Sequence, residues 1–293
     1  MRVLIIGCGF VGIRLARELL EAGHEVHGTR RGAEGLAALE AAGIRGWPLD
    51  VADAAGYEKM PVDFDWIVNL VSAGPGGPAA YERTYRQGTR QLLHSLHRHP
   101  PRKLVYTSST GVYAQDDGSV VAETCPAEPL TESGRILRAT ERLLEDAHRN
   151  SGFPAIILRL AGIYGAGRGY WLRQFLDGSA RLEGDGRRHL NMIHCDDAAG
   201  AIVAALERGQ PGRIVNVVDN EPATQREVLG WLAARLGRPI PPAGAPAGSR
   251  ARSATDKIVC NRRLREELGY TLRYPTFREG YAAELMAMRI RML

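Results

Sequence analysis

The chain has 293 residues, of which 44% are hydrophobic, 24% charged and 6% aromatic. These values are typical of a globular protein and unlike those of disordered, collagen-like or coiled-coil chains. The net charge of +5 is spread without a dense basic run, so we expect no nucleic-acid partner. No stretch approaches the roughly 18 apolar residues of a membrane span, and the N-terminal apolar run is too short for a signal peptide. We therefore expect a cytoplasmic protein that does not contact a membrane.

Apolar runs of strand length alternate with segments of helical period in the first part of the chain. This alternation predicts an α/β fold with a doubly wound parallel sheet of the Rossmann type. The predicted strands cover residues 3–6, 25–29, 44–49, 64–72, 103–109 and 154–164. The predicted helices cover residues 11–22, 33–42, 81–99 and 131–150.

The rhythm changes after about residue 165. Short segments at 171–177 and 189–195 precede a predicted helix at 196–208 and a strand at 213–218. A capping box opens a helix at 224–236, and two more helices are predicted at 261–268 and 276–288. The Pro- and Gly-rich residues 239–253 form either a loop over a cleft or a flexible surface connection. We predict a Rossmann domain at 1–165 plus about 196–218, and a smaller, partly interleaved C-terminal α/β substrate domain at 166–195 and 219–293.

A glycine motif, Gly7-Cys8-Gly9-Phe10-Val11-Gly12, lies between the first predicted strand and helix. In this context Gly7 allows a tight turn, Gly9 lets the backbone approach a pyrophosphate, and Gly12 permits close packing of helix and strand. We therefore predict a dinucleotide site that includes Phe10 and Val11. A simple turn and an S-adenosylmethionine site are the alternatives.

The end of the second strand indicates which dinucleotide binds. It carries Thr29, Arg30 and Arg31, where an NAD site would offer Asp or Glu to the ribose. A hydroxyl and two guanidinium groups suit a 2′-phosphate, which predicts NADP as the cofactor, with NAD and solvated arginines as the alternative. Asp50, after the third strand, either accepts a hydrogen bond from the adenine amino group or caps the strand end.

Two residue types limit the chemistry available. The cysteines lack CxxC spacing, so we expect neither a metal site nor a disulfide framework. The 38 basic residues include only three lysines, which are Lys59, Lys103 and Lys257.

Three later segments, 104–113, 158–168 and 191–198, resemble the extended short-chain dehydrogenase/reductase family, the NAD-dependent epimerase/dehydratase group. The resemblance covers nearly the whole chain. It implies a Rossmann domain that binds the cofactor, a C-terminal domain that binds a small-molecule substrate, and a homodimer formed through the helices at 81–99 and 131–150. It also implies that Ser109 is the catalytic Ser/Thr that hydrogen-bonds a substrate carbonyl or hydroxyl.

The chain departs from the family at its Tyr-x-x-x-Lys pair. The tyrosine position falls on Ser133 and the lysine position on Leu137, so the chain resembles atypical members. Tyr113 either supplies a phenol for catalysis or packs. His194 likewise serves either as a general base or in packing. Asp196 and Asp197 are read as helix caps rather than as a carboxylate pair.

These observations predict an NADP-dependent oxidoreductase or an epimerase- or dehydratase-like enzyme acting on a polar metabolite, such as a sugar or sugar nucleotide, with a non-standard active site. A non-catalytic NADP(H) sensor is the alternative, and a methyltransferase is a third hypothesis. The proton donor that would replace the Tyr-Lys pair is not identified by the sequence.

Overall fold

The computed structural model describes residues 1–61, 63–244 and 255–291. Its strands are β1 Arg2–Ile6, β2 Glu25–Arg30, β3 Arg45–Pro48, β4 Trp66–Asn69, β5 Lys103–Ser109, β6 Ser119–Val121, β7 Ala155–Leu160, β8 Gly162–Tyr164, β9 Met192–His194, β10 Ile214–Val217 and β11 Lys257–Val259. The central sheet has seven strands in the order β10-β7-β5-β4-β1-β2-β3. Each neighbouring pair is parallel, which confirms the predicted Rossmann-type sheet.

Helices cover both faces of this sheet. They are α1 Phe10–Glu21, α2 Ala33–Ala41, α3 Ala54–Glu58, α4 Gly77–Tyr81, α5 Gly88–Ser95, α6 Glu132–Ser151, α7 Tyr170–Asp177, α8 Cys195–Arg208, α9 Gln225–Leu236, α10 Arg262–Glu266 and α11 Phe277–Arg291. Strand β1 shows why the sheet needs both layers. Val3 and Ile5 pack into one core cluster with residues of α1 and α8, whereas Leu4 and Ile6 pack into a second with residues of α5 and α6.

The structure corrects two predicted elements and adds a pair of strands that was not predicted. The apolar run at 154–164 is two strands, because β8 leaves the central sheet and pairs with β9 instead. The helix predicted at 81–99 begins earlier, at Gly77, and contains a π-helical turn, Glu82–Gln87, between α4 and α5. The parallel pair of β6 with β11 was missed, because each strand has only three residues.

The later part of the chain builds a third core over the carboxyl edge of the sheet. Many of its buried members come from α7, α9 and α11, among them Trp171, Phe175, Leu232 and Phe277, and β8 and β9 add others. Between α7 and α9 the chain returns to the first layer, since β10 pairs with β7 in the central sheet. The proposed domain division and the dimer through the helices at 81–99 and 131–150 stay predictions. Of the predicted loop at 239–253, residues 245–253 lie outside the described residues. Within the described ranges, no helix is both long and apolar enough to span a membrane.

Candidate functional site

The glycine motif forms the turn from β1 into α1. Gly7 has φ of +75°, and a Cβ there would stand 2.8 Å from the backbone Cα of Val71, so only glycine fits without a shift. A Cβ on Gly12 would meet Cys8 Sγ at 3.2 Å and Ile5 Cγ2 at 3.3 Å, which shows how closely helix and strand pack.

The first turn of α1 is open to an anion. Its N-cap is Gly9, which provides no side-chain hydrogen bond to the helix. The first N–H groups of a helix have no partner within it, and together with the helix dipole they favour a phosphate. Phe10 is partly exposed beside this turn, whereas the Val11 side chain is buried in the core, so Val11 can serve a ligand through its backbone only.

Thr29 does not have the role that we expected. Its side chain is buried, and its Oγ1 accepts a hydrogen bond from the Gly7 N–H at 3.1 Å. Its carbonyl oxygen accepts another from the Cys8 N–H at 3.0 Å. The hydroxyl therefore holds the glycine turn from beneath instead of facing the cofactor.

Arg30 crosses the glycine motif. Its Nη1 lies 2.9 Å from the point that a Cβ of Gly9 would occupy, and its stem packs against Gly35. The side chain is exposed and makes no hydrogen bond or ion pair with any residue that the structure describes. Arg31 follows it and is also exposed. Since Gly9 carries no side chain, an uncompensated guanidinium can lie directly over the turn.

Asp50 caps the end of β3, as one of its two alternatives predicted. Its Oδ1 accepts a hydrogen bond from the Ala52 N–H at 3.1 Å, and its Oδ2 pairs with Arg83 Nη2 at 2.6 Å. Burial raises the pKa of Asp50, but the Ala52 N–H and Arg83 together lower it by more, so the net pKa is below its usual value. Both oxygens are occupied, so the adenine contact stays a prediction.

Ser109 ends β5 at the carboxyl edge of the sheet. Its Oγ accepts a hydrogen bond from the Gly111 N–H at 3.0 Å and thereby caps the short 3-10 turn Thr110–Val112. The side chain is partly exposed. Because that contact uses only a lone pair, the Ser109 O–H can still donate to a ligand.

Tyr113 lies behind Ser109 and does not face a substrate. It is 0% exposed, and its hydroxyl accepts from Arg159 Nη1 at 2.8 Å and donates to Asn216 Oδ1 at 2.9 Å. Arg159 also donates from Nε and Nη2 to Glu141 at 3.0 and 2.7 Å. This geometry fits packing, one of the two roles predicted for Tyr113, and does not fit the catalytic alternative. Instead the network fixes the segment that follows Ser109.

The start of α6 offers no replacement for the Tyr-Lys pair at its expected positions. Leu137 is buried in the core, and Ser133 lies in the first helical turn. At the next position, a Cβ on Gly134 would stand 2.6 Å from Pro129 Cβ, so a larger residue there would displace the preceding loop.

His194 caps α8, as its packing alternative predicted. Its Nδ1 accepts a hydrogen bond from the Asp196 N–H at 3.3 Å, and its ring centroid lies 3.9 Å from that of Tyr274. Asp196 pairs with Arg14 at 3.0 Å. Asp197 is buried and accepts the Tyr270 hydroxyl and two backbone N–H groups. The two aspartates are therefore not a carboxylate pair, but the prediction that they cap α8 is wrong, because His194 is the cap and each carboxylate has another partner.

The same segment carries three side chains at metal-ligand spacing. Ligand atoms of His194, Cys195 and Asp196 lie within 4.8 Å of one another. The imidazole nitrogen nearest the cluster already accepts a backbone N–H, and the Arg14 cation lies on the Asp196 carboxylate. These contacts do not favour a metal ion, and we assign none.

The sequence analysis gave no role to two buried ionisable residues, Lys257 and Asp219. Lys257 is 5% exposed and donates from Nζ to the carbonyl oxygen of Tyr113 at 3.1 Å; burial and the nearby Arg188 lower its pKa to about 8. Asp219 follows β10, and its Oδ2 has no hydrogen-bond partner in the described structure. Burial raises the pKa of Asp219 to about 8. The scarcity of lysine was the only sequence signal for Lys257, and none marked Asp219.

Known proteins resemble this chain over nearly its full length. The model of the NAD-dependent epimerase/dehydratase family matches residues 3–217. The chain belongs to this family. Protein YeeZ of Escherichia coli K12 is 32% identical over 94% of the chain and 96% of its own length. A 3-diazoavenalumate denitrifying reductase of Streptomyces is 29% identical over 97% of the chain and 100% of its own length. A solved structure from Methylobacillus flagellatus, of a candidate NAD-dependent epimerase/dehydratase, is 32% identical, covers 98% of each chain and superposes with a TM-score of 0.78.

Family membership confirms the resemblance seen in the sequence. It also confirms, at the level of the family, the prediction of an oxidoreductase or epimerase type of dinucleotide-binding protein. The family is named for its dependence on NAD, so the assignment of a nicotinamide dinucleotide rests on both the glycine motif and the comparison.

Proposed function

We propose that this protein is an NADP(H)-dependent oxidoreductase that interconverts a carbonyl and an alcohol on a polar small molecule, such as a sugar or sugar nucleotide. The observation that carries the proposal is the uncompensated Arg30 guanidinium over Gly9, followed by Arg31. In dinucleotide sites this strand end faces the adenine ribose, where an acidic residue selects NAD and an arginine accommodates a 2′-phosphate. An epimerase-like reaction, which removes and returns the same hydride, is the alternative within this class.

The residues present fit such a cofactor. The turn at Gly7, the missing side chain at Gly9 and the uncapped first turn of α1 make a cradle for a diphosphate. When bound, the nicotinamide supplies or accepts the hydride, and the protein positions it against the substrate. Thr29 holds the cradle in shape from below through the Gly7 N–H.

Ser109 is the residue that we assign to the substrate. Its free O–H would donate to the carbonyl oxygen and stabilise the negative charge that develops there during reduction. Its orientation is set by the Gly111 N–H, and the Tyr113 network holds the following turn. A fixed donor costs no reorganisation when the charge appears, so this rigidity serves catalysis.

The full-length similarity to a reductase supports a hydride-transfer reaction over methyl transfer. The absence of the Tyr-Lys pair favours the second candidate function, an NADP(H) sensor without turnover. Turnover with any carbonyl substrate that is abolished in Ser109→Ala would support the enzyme. Tight NADPH binding with no turnover across a broad panel would support the sensor, and binding of S-adenosylmethionine alone would refute both.

Cofactor choice is tested by titrating the protein with NADPH and NADH and measuring thermal stabilisation. We expect tighter binding of NADPH. The variant with Arg30→Asp and Arg31→Asp should lose that preference, because it opposes a 2′-phosphate with two carboxylates. The matched control carries Arg17→Asp and Arg235→Asp, two exposed arginines on α1 and α9 with the same change of charge. Equal stabilisation by both cofactors, or an unchanged preference in the variant, would contradict the assignment.

Location and partners complete the proposal. We propose a cytoplasmic protein whose partner is a small molecule, with no nucleic-acid or membrane partner. We also propose a homodimer that forms through the helices at 81–99 and 131–150. The four cysteines are free thiols, which is consistent with a reducing compartment. Sedimentation of the purified protein at micromolar concentration tests the dimer, and a mass of one chain would contradict it.

A further inference from the structure

The loop that follows β8 places an arginine beside the glycine motif. The guanidinium carbon of Arg168 lies 4.6 Å from the ring centroid of Phe10, the first residue of α1. The Arg168 side chain is exposed, and it makes no hydrogen bond or ion pair within the described part of the chain. Arg14 lies on the same ring at 4.4 Å, but its charge is paired with Asp196, to which its Nε donates, and its Nη1 donates to the Phe10 carbonyl oxygen. Arg168 therefore brings unused donors to the open end of α1.

This loop is held in a strained conformation. Ala166 has φ of +47°, the one positive value at a non-glycine residue among those described. A side chain in this left-handed region is strained and persists only where the surroundings impose it. Gly165, Gly167 and Gly169 also have positive φ, so the whole loop departs from ordinary backbone geometry to reach its position.

A carboxylate from the last helix imposes the loop conformation. Glu284 of α11 is 7% exposed and accepts hydrogen bonds from the Ala166 N–H and from the Gly167 N–H, the latter at 2.8 Å. Its Oε1 lies 3.6 Å from His194 Nε2. Burial raises the pKa of Glu284, but His194 and the two N–H groups together lower it by more than burial raises it. The net pKa is therefore below its usual value, and the group is ionised at neutral pH. The segment next to Arg168 is thus anchored by a charged acceptor.

We propose that Arg168 binds the diphosphate of the dinucleotide from the side opposite the helix N–H groups, and that Glu284 is the positioning residue that keeps it there. The inference rests on the proposed dinucleotide function and adds a residue from the loop between β8 and α7 to the site. A guanidinium pairs with phosphate oxygens through several donors at once, which suits a group free of other partners. Because Glu284 belongs to α11, the packing of the C-terminal layer then controls cofactor affinity.

The competing explanation is that Arg168 only packs on Phe10. A cation–π contact at an exposed site adds modestly to folding stability and would have no preference for a ligand. The two explanations differ in which ligands respond to the loss of the charge. Three probes separate the contacts: NADPH, ADP-ribose, which carries the diphosphate without a 2′-phosphate, and adenosine 2′-monophosphate, which carries the 2′-phosphate without the diphosphate.

The experiment is calorimetric titration of the full chain with each probe. In Arg168→Met, which keeps an apolar stem on Phe10, we expect affinity for NADPH and ADP-ribose to fall about 10-fold or more, since a hydrogen bond to a charged group contributes about 1.5–3 kcal/mol. Affinity for adenosine 2′-monophosphate should not change. The matched control is Arg173→Met, since Arg173 is also exposed and lines, together with Arg168, a cleft of about 370 Å³ between α7 and α11. This variant should change the affinity for none of the three probes.

Glu284→Gln tests the positioning role separately. This variant should weaken ADP-ribose binding in the wild-type background but not in the Arg168→Met background, because the carboxylate acts through the arginine. Unchanged ADP-ribose affinity in Arg168→Met, or an equal loss for adenosine 2′-monophosphate, would overturn the inference while leaving the NADP proposal intact. A wild-type protein that binds neither NADPH nor ADP-ribose would overturn both. If Glu284→Gln fails to fold, the Arg168 series still decides the diphosphate contact.

Discussion

The buried pair of Arg159 and Glu141 offers a quantitative test of the structure behind Ser109. Their side chains are 2% and 0% exposed, and two hydrogen bonds join them at 3.0 and 2.7 Å. Glu141→Gln keeps the shape but removes the charge, and so leaves a buried guanidinium without its counter-ion. Removing one partner of a buried pair costs about 3–5 kcal/mol. We expect the lower end, about 3 kcal/mol, because Arg159 retains Tyr113 and the amide oxygen can still accept one bond.

Equilibrium unfolding in urea measures this loss. With an m-value of about 3 kcal/mol per molar urea, the midpoint should fall by about 1 M. The control is Asp146→Asn on the same helix, which removes the charge from an i,i+3 ion pair with Arg149. Both side chains of this pair are exposed, Arg149 to 72% and Asp146 to 54%. An exposed pair of this kind contributes at most about 1 kcal/mol, and pairs on a helix about 0.3–0.5 kcal/mol.

A double-mutant cycle completes the test. Glu141→Gln combined with Arg159→Met should lose less stability than the sum of the single variants, by about 2 kcal/mol. Glu141→Gln leaves Arg159 buried without its counter-ion, and Arg159→Met leaves the buried Glu141 with only the Arg138 Nη1 contact at 3.2 Å. If Glu141→Gln shifts the midpoint no further than Asp146→Asn, or if the cycle is additive, the buried pair does not hold this region as the geometry indicates.

Three further predictions concern the site and its surroundings. Thr29→Val should lower the free energy of unfolding by about 1 kcal/mol and weaken NADPH binding, because the Gly7 N–H loses its acceptor, whereas Thr29→Ser keeps the hydroxyl and should preserve both. Thermal unfolding with and without NADPH measures the two effects, and unchanged stability and binding in Thr29→Val would contradict this role. Asp219 has a pKa of about 8 in the folded protein, above the value of about 3.9 expected in the unfolded chain. The stability of the wild type should therefore fall relative to that of Asp219→Asn as the pH rises from about 4 to 8. A stability difference between the two proteins that does not change with pH would show that the carboxyl is not desolvated. Lys257 has a pKa of about 8 in the folded protein, below the value of about 10.4 expected in the unfolded chain. The stability of the wild type should therefore rise relative to that of Lys257→Met between about pH 8 and 10. A stability difference that stays constant over this range would refute the prediction.

The local features of the cofactor site could be predicted from the sequence. A tight turn needs a positive φ at Gly7, and the apolar run before it and the helical period after it are properties of neighbouring residues. The same holds for the alternation of strands and helices, which determines the parallel sheet. Ser109 was found through its resemblance to a family motif, and the structure leaves its hydroxyl able to donate.

The roles of individual polar side chains could not be predicted in the same way. Thr29 and Arg30 are adjacent, and both were assigned to the cofactor, yet one is buried under the glycine turn and the other crosses over it. Successive residues of a strand face opposite sides, but which side carries the ligand depends on the loop that packs above. The sequence left Tyr113 between catalysis and packing, and only its burial against Arg159 decides for packing.

The amino-acid sequence by itself determined the Rossmann sheet, the dinucleotide cradle and the absence of the Tyr-Lys pair from α6. Each of these follows from residue types within one turn, strand or helix. Only the tertiary structure decided that Lys257 lies on the Tyr113 carbonyl, 144 residues away, and that Glu284 anchors the loop at Gly167, 117 residues away. Such contacts depend on how separate elements pack, and packing is a property of the whole core that no local pattern records.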